Sequence, residues 1–361
     1  MKRNLPFLLL LILLLDQWSC SRTININDQK INHIQVIGSH NSYKMSIDPK
    51  LFRFLATKDS AGVSTIDYSH PPLKQQLDMG LLNLEIDIYV DTAGGRYAHP
   101  KGLIWVKGQA PYDPKGEMMA PGFKVLHVPD IDFRSNFLIL KEGLHQLKEW
   151  SAAHPDHNPV FITVEPKDDK PMIAGLTPPE MFIQQAFTEL DNDFLKYLGK
   201  ENIITPDDIR GNFMTLEDAV LHEHWPTLNQ AKGKFLFMLD ARDQKMALYK
   251  TGHPSLKGRI LFINADAGTP EAAIMILNDP KDPSIPKLVK KGYIIRTRAD
   301  SNTEQARHND YSGFEAAKSS GAQIITTDYY QKSTHFKSDY MVSFGDSSKY
   351  FRLNPLFVSG H

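Results

Sequence analysis

The chain has 361 residues, is 41% hydrophobic and 23% charged, and carries a formal net charge of −1. That balance suits one large globular domain or two small ones, and it gives no basic field for nucleic acid. Its single cysteine, Cys20, excludes an internal disulfide framework.

The first element is a leader. Lys2 and Arg3 precede an apolar run from Leu5 to Leu15, and Trp18-Ser19-Cys20 follows. A basic start, an apolar stretch and a small residue before a break make a secretory signal. The run is too short for a comfortable membrane-spanning helix. The arrangement resembles a bacterial lipoprotein signal, in which the cysteine becomes the lipidated first residue; Gln17 departs from the aliphatic residue usual there. We expect a signal peptide over residues 1–20, a polar tether over 21–32 and one domain over 33–361. The expected location is the outer membrane or periplasm, anchored at Cys20, with secretion as the alternative.

Strand-like runs recur from there. The first, 33–38, is β-branched and ends in the polar loop Ser39-His40-Asn41-Ser42-Tyr43. Residues 44–68 look irregular. Pro71 and Pro72 open a short helix through Leu73, Leu77 and Met79, with Gly80 as its stop. The second strand, 81–90, contains Glu85 and Asp87 in an apolar run. Period-two alternation puts both carboxylates on one face, with Leu84, Ile86 and Ile88 on the other. Burying two carboxylates side by side is unfavourable unless a cation or protons compensate them.

Residues 91–121 show no helical period and are rich in Gly and Pro, so they read as a long excursion with room for a small hairpin. A third strand is expected at 123–128, carrying His127, with Asp130 and Asp132 just after it. Phe137, Leu140, Leu144, Leu147 and Trp150 recur at helical spacing. The fourth strand, 159–165, ends at Glu165, followed by Pro166 and Lys167. Further strands are expected at 234–240, 259–265, 292–298 and 322–327. The connecting helices are expected over 178–198, around 216–221, from Thr269-Pro270 through Ile274 and Leu277, and over 306–318. Residues 350–357 read as an aromatic strap. Eight strands alternating with helices or long connections predict a (β/α)₈ TIM barrel. An open doubly wound sheet would show a glycine-rich phosphate loop after its first strand, and Gly38 alone is not one.

In a barrel, the C-terminal strand ends converge on one mouth. That mouth would gather His40, Asn41, Glu85, Asp87, His127, Glu165 and Arg296. One amide oxygen and three carboxylates form an all-oxygen set, which suits a hard divalent cation, Ca²⁺ above others. Two histidines can move protons near neutrality. Together with a cation and an arginine they fit chemistry on a phosphate ester.

The set resembles the phosphatidylinositol-specific phospholipase C superfamily, most closely its secreted bacterial, calcium-dependent branch. The likeness rests on SHNSY at Ser39, LEIDIY at Leu84, LHVPDID at Leu126, VEPK at Val164, RTRAD at Arg296 and GAQIITTDY at Gly321. It implies a distorted, PLC-like phosphodiesterase barrel that cleaves diacylglycerol from phosphoinositol. It further implies His40 and His127 as the acid/base pair, with Asn41, Glu85, Asp87 and Glu165 holding Ca²⁺. Lys167 and Arg296 would contact phosphate or inositol hydroxyls. The expected partner is a phospholipid or other phosphodiester at a membrane surface; neither nucleic acid nor a protein partner is implied. The long 91–121 insert departs from the pattern and bears on head-group choice. The alternatives are a glycerophosphodiester phosphodiesterase, whose first-strand motif His-Arg-Gly is not matched by His40-Asn41-Ser42, a sphingomyelinase D-like enzyme, and a non-catalytic barrel that binds phosphoinositide or glycan.

Overall fold

The computed structural model describes residues 25–171, 173–345 and 349–358. Cys20 and the leader lie outside the described residues. Among the described residues no helix is long and apolar enough to cross a membrane.

The frame is a curled parallel sheet. Its strands are β1 (Ile34–Ser39), β2 (Asn83–Asp91), β3 (Gly122–Lys124), β4 (Val160–Pro166), β5 (Ile203–Ile204), β6 (Phe235–Leu239), β7 (Phe262–Ile263), β8 (Ile274–Ile276), β9 (Ile294–Arg298), β10 (Ile324–Thr327) and β11 (Phe351–Leu353). Neighbours run β5-β6-β4-β2-β1-β10-β9-β8, with β7 on β6, β3 on β2 and β11 on β1. β5 and β7 share one side of β6, pairing at Phe235–Leu236 and Met238–Leu239 respectively. The ring closes from β7 to β8 through a single parallel bridge, Asn264 to Ile274. There the Asn264 side chain stands in for a ladder partner, its Oδ1 accepting from Ile276 N at 2.9 Å. The result is a distorted barrel, eight parallel staves with one weak seam.

Two sequence assignments fail. The expected third strand is no stave: β3 is three residues long and runs antiparallel to the outer end of β2, Val90 facing Phe123. The missing stave is β8, in a segment read as helical because Thr269-Pro270 looks like a helix start. Its Ile-Met-Ile core is buried on all sides and pairs with β9, so burial overrides the local signal. The segment read as a tether is docked from residue 27 onward. Asn27 O and Gln29 O accept from Asn229 N and Leu228 N, and Ile31 is fully buried. Residues 44–68 contain helices at Pro49–Ala56 and Ser60–Ser64, and the excursion contains one at Lys101–Trp105.

Alternation in β2 sorts its residues as expected. Leu84, Ile86 and Ile88 face outward into the core shared with Leu140, Leu144 and Leu147 of helix Leu140–Ala153. Register then builds three inward-facing layers across β2 and β4. Asn83 sits beside Phe161, Glu85 beside Thr163, and Asp87 beside Glu165. Gly38 permits the close approach of β1 to β2, since a Cβ there would lie 2.3 Å from Asn83 Cβ.

Candidate active site

The mouth of the barrel is polar because the inward row of each stave becomes charged toward its C-terminal end. Asp87 and Glu165 are register partners on β2 and β4. With Glu85, one layer deeper, they offer three carboxylate oxygens all within 4.8 Å of one another. Glu85 is ion-paired with Arg296 of β9, both fully buried, so this pair forms the floor. Lys167 Nζ lies 2.8 Å from Glu165 and 3.7 Å from Asp87.

That arrangement passes a test for a cation. Both carboxylate oxygens of Asp87 are buried without a well-formed hydrogen bond, facing the Tyr43 hydroxyl and, at 3.7 Å, Lys167. Burial, opposed by Lys167 and reinforced by Glu165 and Glu85, pushes the Asp87 carboxyl well above the usual range. Glu165 goes the other way, since Lys167, with His40 and Arg296, outweighs its burial. A buried carboxylate short of donors is expensive unless a positive ion meets it. The oxygen-only donor set suits Ca²⁺. Asn41 adjoins the cluster through Tyr43, whose hydroxyl donates to Asn41 Oδ1 at 3.4 Å and borders Asp87. Asn41 sits at φ 48° in the loop after β1, which turns its side chain back over the strand end.

Each histidine is held by a carboxylate. His40 Nδ1 lies 2.8 Å from Asp328 Oδ1, and its Nε2 is 3.7 Å from Glu85 Oε1. His127 Nδ1 lies 2.7 Å from Asp132 Oδ2. A carboxylate can only accept here, so each ring donates from Nδ1 and presents Nε2 to the cleft. The two pairs are linked. Lys44 Nζ reaches Asp132 at 3.2 Å and the Tyr68 carbonyl at 2.7 Å. The Tyr68 hydroxyl in turn meets His40 Nδ1 at 3.3 Å and accepts from Asn41 at 2.8 Å. Burial, then the Arg298 charge, holds His40 well below its ordinary value despite the opposing pull of Glu85.

All eight residues singled out from the sequence line this region or its wall. Arg296 is too deeply buried to meet a substrate. The better-placed arginine is Arg298, whose guanidinium lies 3.3 Å from His40 Nδ1 and 3.6 Å from Asp328. Sequence reasoning passed over Arg298, Asp328, Asp132 and Asp240. The first three lie inside RTRAD, TTDY and LHVPDID; the signal available was their position at strand ends. Asp240 follows β6 and donates its backbone N–H to Val164 O, which brings it beside Glu165. Burial raises its carboxyl, with Arg296 opposing.

A parallel barrel with acid/base groups around a cation cradle at its mouth is the frame of a metal-assisted phosphodiesterase. The family model described as phosphoinositide phospholipase C, Ca²⁺-dependent, matches residues 29–355, and the chain belongs to that family. No curated protein matches it by sequence. Among solved structures it is similar to a calcium-dependent phosphoinositol-specific phospholipase C from Pseudomonas sp. in its myoinositol complex. That match has 17% identity and a TM-score of 0.54, covering 91% of this chain and 96% of that one. It is also similar to a Ca²⁺-dependent phosphatidylinositol-specific phospholipase C from Streptomyces antibioticus, with 16% identity, 84% and 95% coverage and a TM-score of 0.55.

Proposed function

We propose that this phosphodiesterase cleaves the glycerol–phosphate bond of phosphoinositol lipids at a membrane surface, releasing diacylglycerol. The observation that carries the reading is the buried cluster of Glu85, Asp87 and Glu165 oxygens, with His40 and His127 each held by a carboxylate of its own. Asn41, Glu85, Asp87 and Glu165 would hold Ca²⁺. Bound there, the ion supplies positive charge against phosphoryl oxygens and acidifies a hydroxyl beside it.

The remaining chemistry belongs to this chain. The inositol 2-hydroxyl attacks phosphorus and yields its proton to the carboxylate floor, where Glu85 and Asp87 are the candidate bases. His40, oriented by Asp328, stabilises the pentavalent phosphorus. An arriving anionic phosphodiester offsets the Arg298 charge and favours the donating form of His40. His127, oriented by Asp132 and entering the step as the imidazolium, gives its Nε2 proton to the leaving alkoxide and keeps its Nδ1 proton hydrogen-bonded to Asp132. Lys167, with about a quarter of its side chain exposed, is placed to meet phosphate or inositol hydroxyls. Arg296 is assigned instead as the counter-charge of Glu85.

The test is release of the phosphorylated head group from a panel of phosphatidylinositol, glycosylated phosphatidylinositol, glycerophosphoinositol and phosphatidylcholine, with and without chelator. Release from inositol lipids that stops on chelation is expected. Preference for glycerophosphoinositol, or a rate indifferent to exhaustive chelation, defeats the proposal. Export with lipidation at Cys20 is a companion proposal supported by the leader sequence. Cys20→Ala should move the protein out of the membrane fraction, whereas an unlipidated wild-type N-terminus refutes it.

A further inference from the structure

Beside the mouth lies an apolar groove of about 620 Å³, whose walls include Phe54, Val63, Ile66, Trp105, Val128 and Leu176. It is not part of the barrel core. Its walls belong to a separate hydrophobic cluster built on helices Pro49–Ala56 and Ser60–Ser64. The groove is open, and large apolar side chains stand exposed along it: Trp105 is 42% and Ile173 54% accessible. A surface of this size and character marks a binding site more often than an accident of packing.

The groove is prebuilt, and one residue holds its parts together. Asp130, itself buried and at φ 70°, accepts from Lys101 N at 2.9 Å and from Thr177 N at 2.6 Å. Its carbonyl accepts from Gly102 N at 2.9 Å. At Gly102 a Cβ would lie 2.6 Å from that oxygen, so only glycine lets helix Lys101–Trp105 dock this closely. Asp130 thereby ties the 91–121 insert and the strip around residues 173–177 to the loop that follows His127.

That loop also joins the groove to the chemistry. Val128 and Asp132 are hydrogen-bonded to each other, N to O, at 3.0 Å in both directions. Asp132 turns to His127, while Val128 and Ile131 line the groove. The wall of the groove is therefore the residue next to the group assigned to protonate the leaving alkoxide. The groove wall and the carboxylate that holds His127 thus belong to one short loop. The lining is mostly apolar, with Lys58, Asp59 and Thr65 its polar side chains, which suits a largely hydrocarbon occupant.

We propose that the groove is an acyl-chain subsite, holding one fatty chain of the diacylglycerol portion of the lipid while the phosphoinositol head occupies the barrel mouth. This rests on the function proposed above. It gives the insert its role: Trp105 supplies one wall of the groove. Recognition then extends past the head group, and monomeric lipid is discriminated by chain length without a membrane.

The experiment compares dibutanoyl, dihexanoyl and diheptanoyl phosphatidylinositol below their micellar concentrations with an inositol nitrophenyl phosphodiester that has no chain. In the wild-type protein kcat/KM should rise about two- to fourfold per methylene until the groove is full. Ala174→Trp, at an exposed lining position, fills the groove; its loss should grow with chain length, reaching on the order of tenfold for the diheptanoyl lipid. On the chain-free ester the loss should stay within about twofold, well short of one methylene's worth per added carbon. A flat chain-length series, or equal losses on lipid and ester, overturns the subsite, as does a dependence confined to vesicles. A wild-type protein inert to lipid and ester alike defeats the proposed function instead. The groove is then judged by binding: monomeric brominated diacylglycerol should quench wild-type fluorescence and fail to quench Trp105→Phe to the same extent. Equal quenching in both counts against the subsite.

Discussion

The two histidines are built alike and are proposed to do different work, which a leaving-group series can expose. His127→Ala should slow cleavage of a lipid alkoxide by on the order of 10²–10⁴, because that group leaves poorly without a proton. With nitrophenolate, which needs no proton, the loss should shrink to a small factor. Equal losses for both leaving groups would remove His127 from the role of acid. A third histidine carries a signature in stability instead. His70 is buried, donates to the His40 carbonyl at 2.8 Å and stacks on Tyr330. Burial pushes it down to about 4, against the opposing pull of Asp328. The unfolded chain takes up a proton near pH 6.5 and the folded one does not. The contribution is therefore whole above that pH and drains away as pH falls toward 4. Its size is about 3 kcal/mol. His70→Gln keeps a donor without a titration, so its unfolding free energy should lose less than the wild type over that window. Parallel urea curves across the window would refute this.

At the scale of elements, the seam between β7 and β8 hangs on Asn264. Its Oδ1 accepts from Ile276 N, and its Nδ2 donates to Asp240 at 3.3 Å. Asn264→Leu leaves a buried N–H without a partner and should cost about 1–3 kcal/mol. Amide exchange at Ile276 should accelerate before that of β2 or β4; uniform exchange in the variant would show that the seam carries no special load. The same region explains what sequence could and could not reveal. Glu85 and Asp87 were legible because alternation in a long β-branched run fixes a face without help from elsewhere. His40, Asn41 and Glu165 were legible as polar punctuation at strand ends. β8 was not, because three apolar residues have no period and Thr269-Pro270 supplies a convincing helix start. Nor was the pairing of His40 with Asp328, which spans 288 residues and exists only once the barrel brings β1 beside β10.

Over the whole molecule, the cluster of carboxylates stores a destabilising charge that a bound ion would relieve. Calcium at about a hundred times its dissociation constant should stabilise the fold by about 2.7 kcal/mol. Asp87→Asn removes a carboxylate whose burial outweighs the pull of Lys167, so the metal-free variant should be more stable than the metal-free wild type, by about 1–3 kcal/mol at neutral pH. Calcium should then add less to it. Scanning calorimetry of the four states would settle the matter; identical calcium increments in both proteins would show that Asp87 lies outside the cation site.

The first stave has a further consequence. β1 is flanked by β10 and, at its lower end, by β11, where Gln35 faces Arg352 and accepts from its guanidinium at 2.9 Å. Both neighbours lie far along the chain from β1, at Ile324–Thr327 and Phe351–Leu353. During synthesis, at about 5–20 residues per second, β1 must wait until β10 and β11 have been made before it has partners on these sides. Contacts so distant in sequence also make the closing step slow. β1 is thus a stave whose edges on these sides are covered only by the last two strands to be made, β10 and β11.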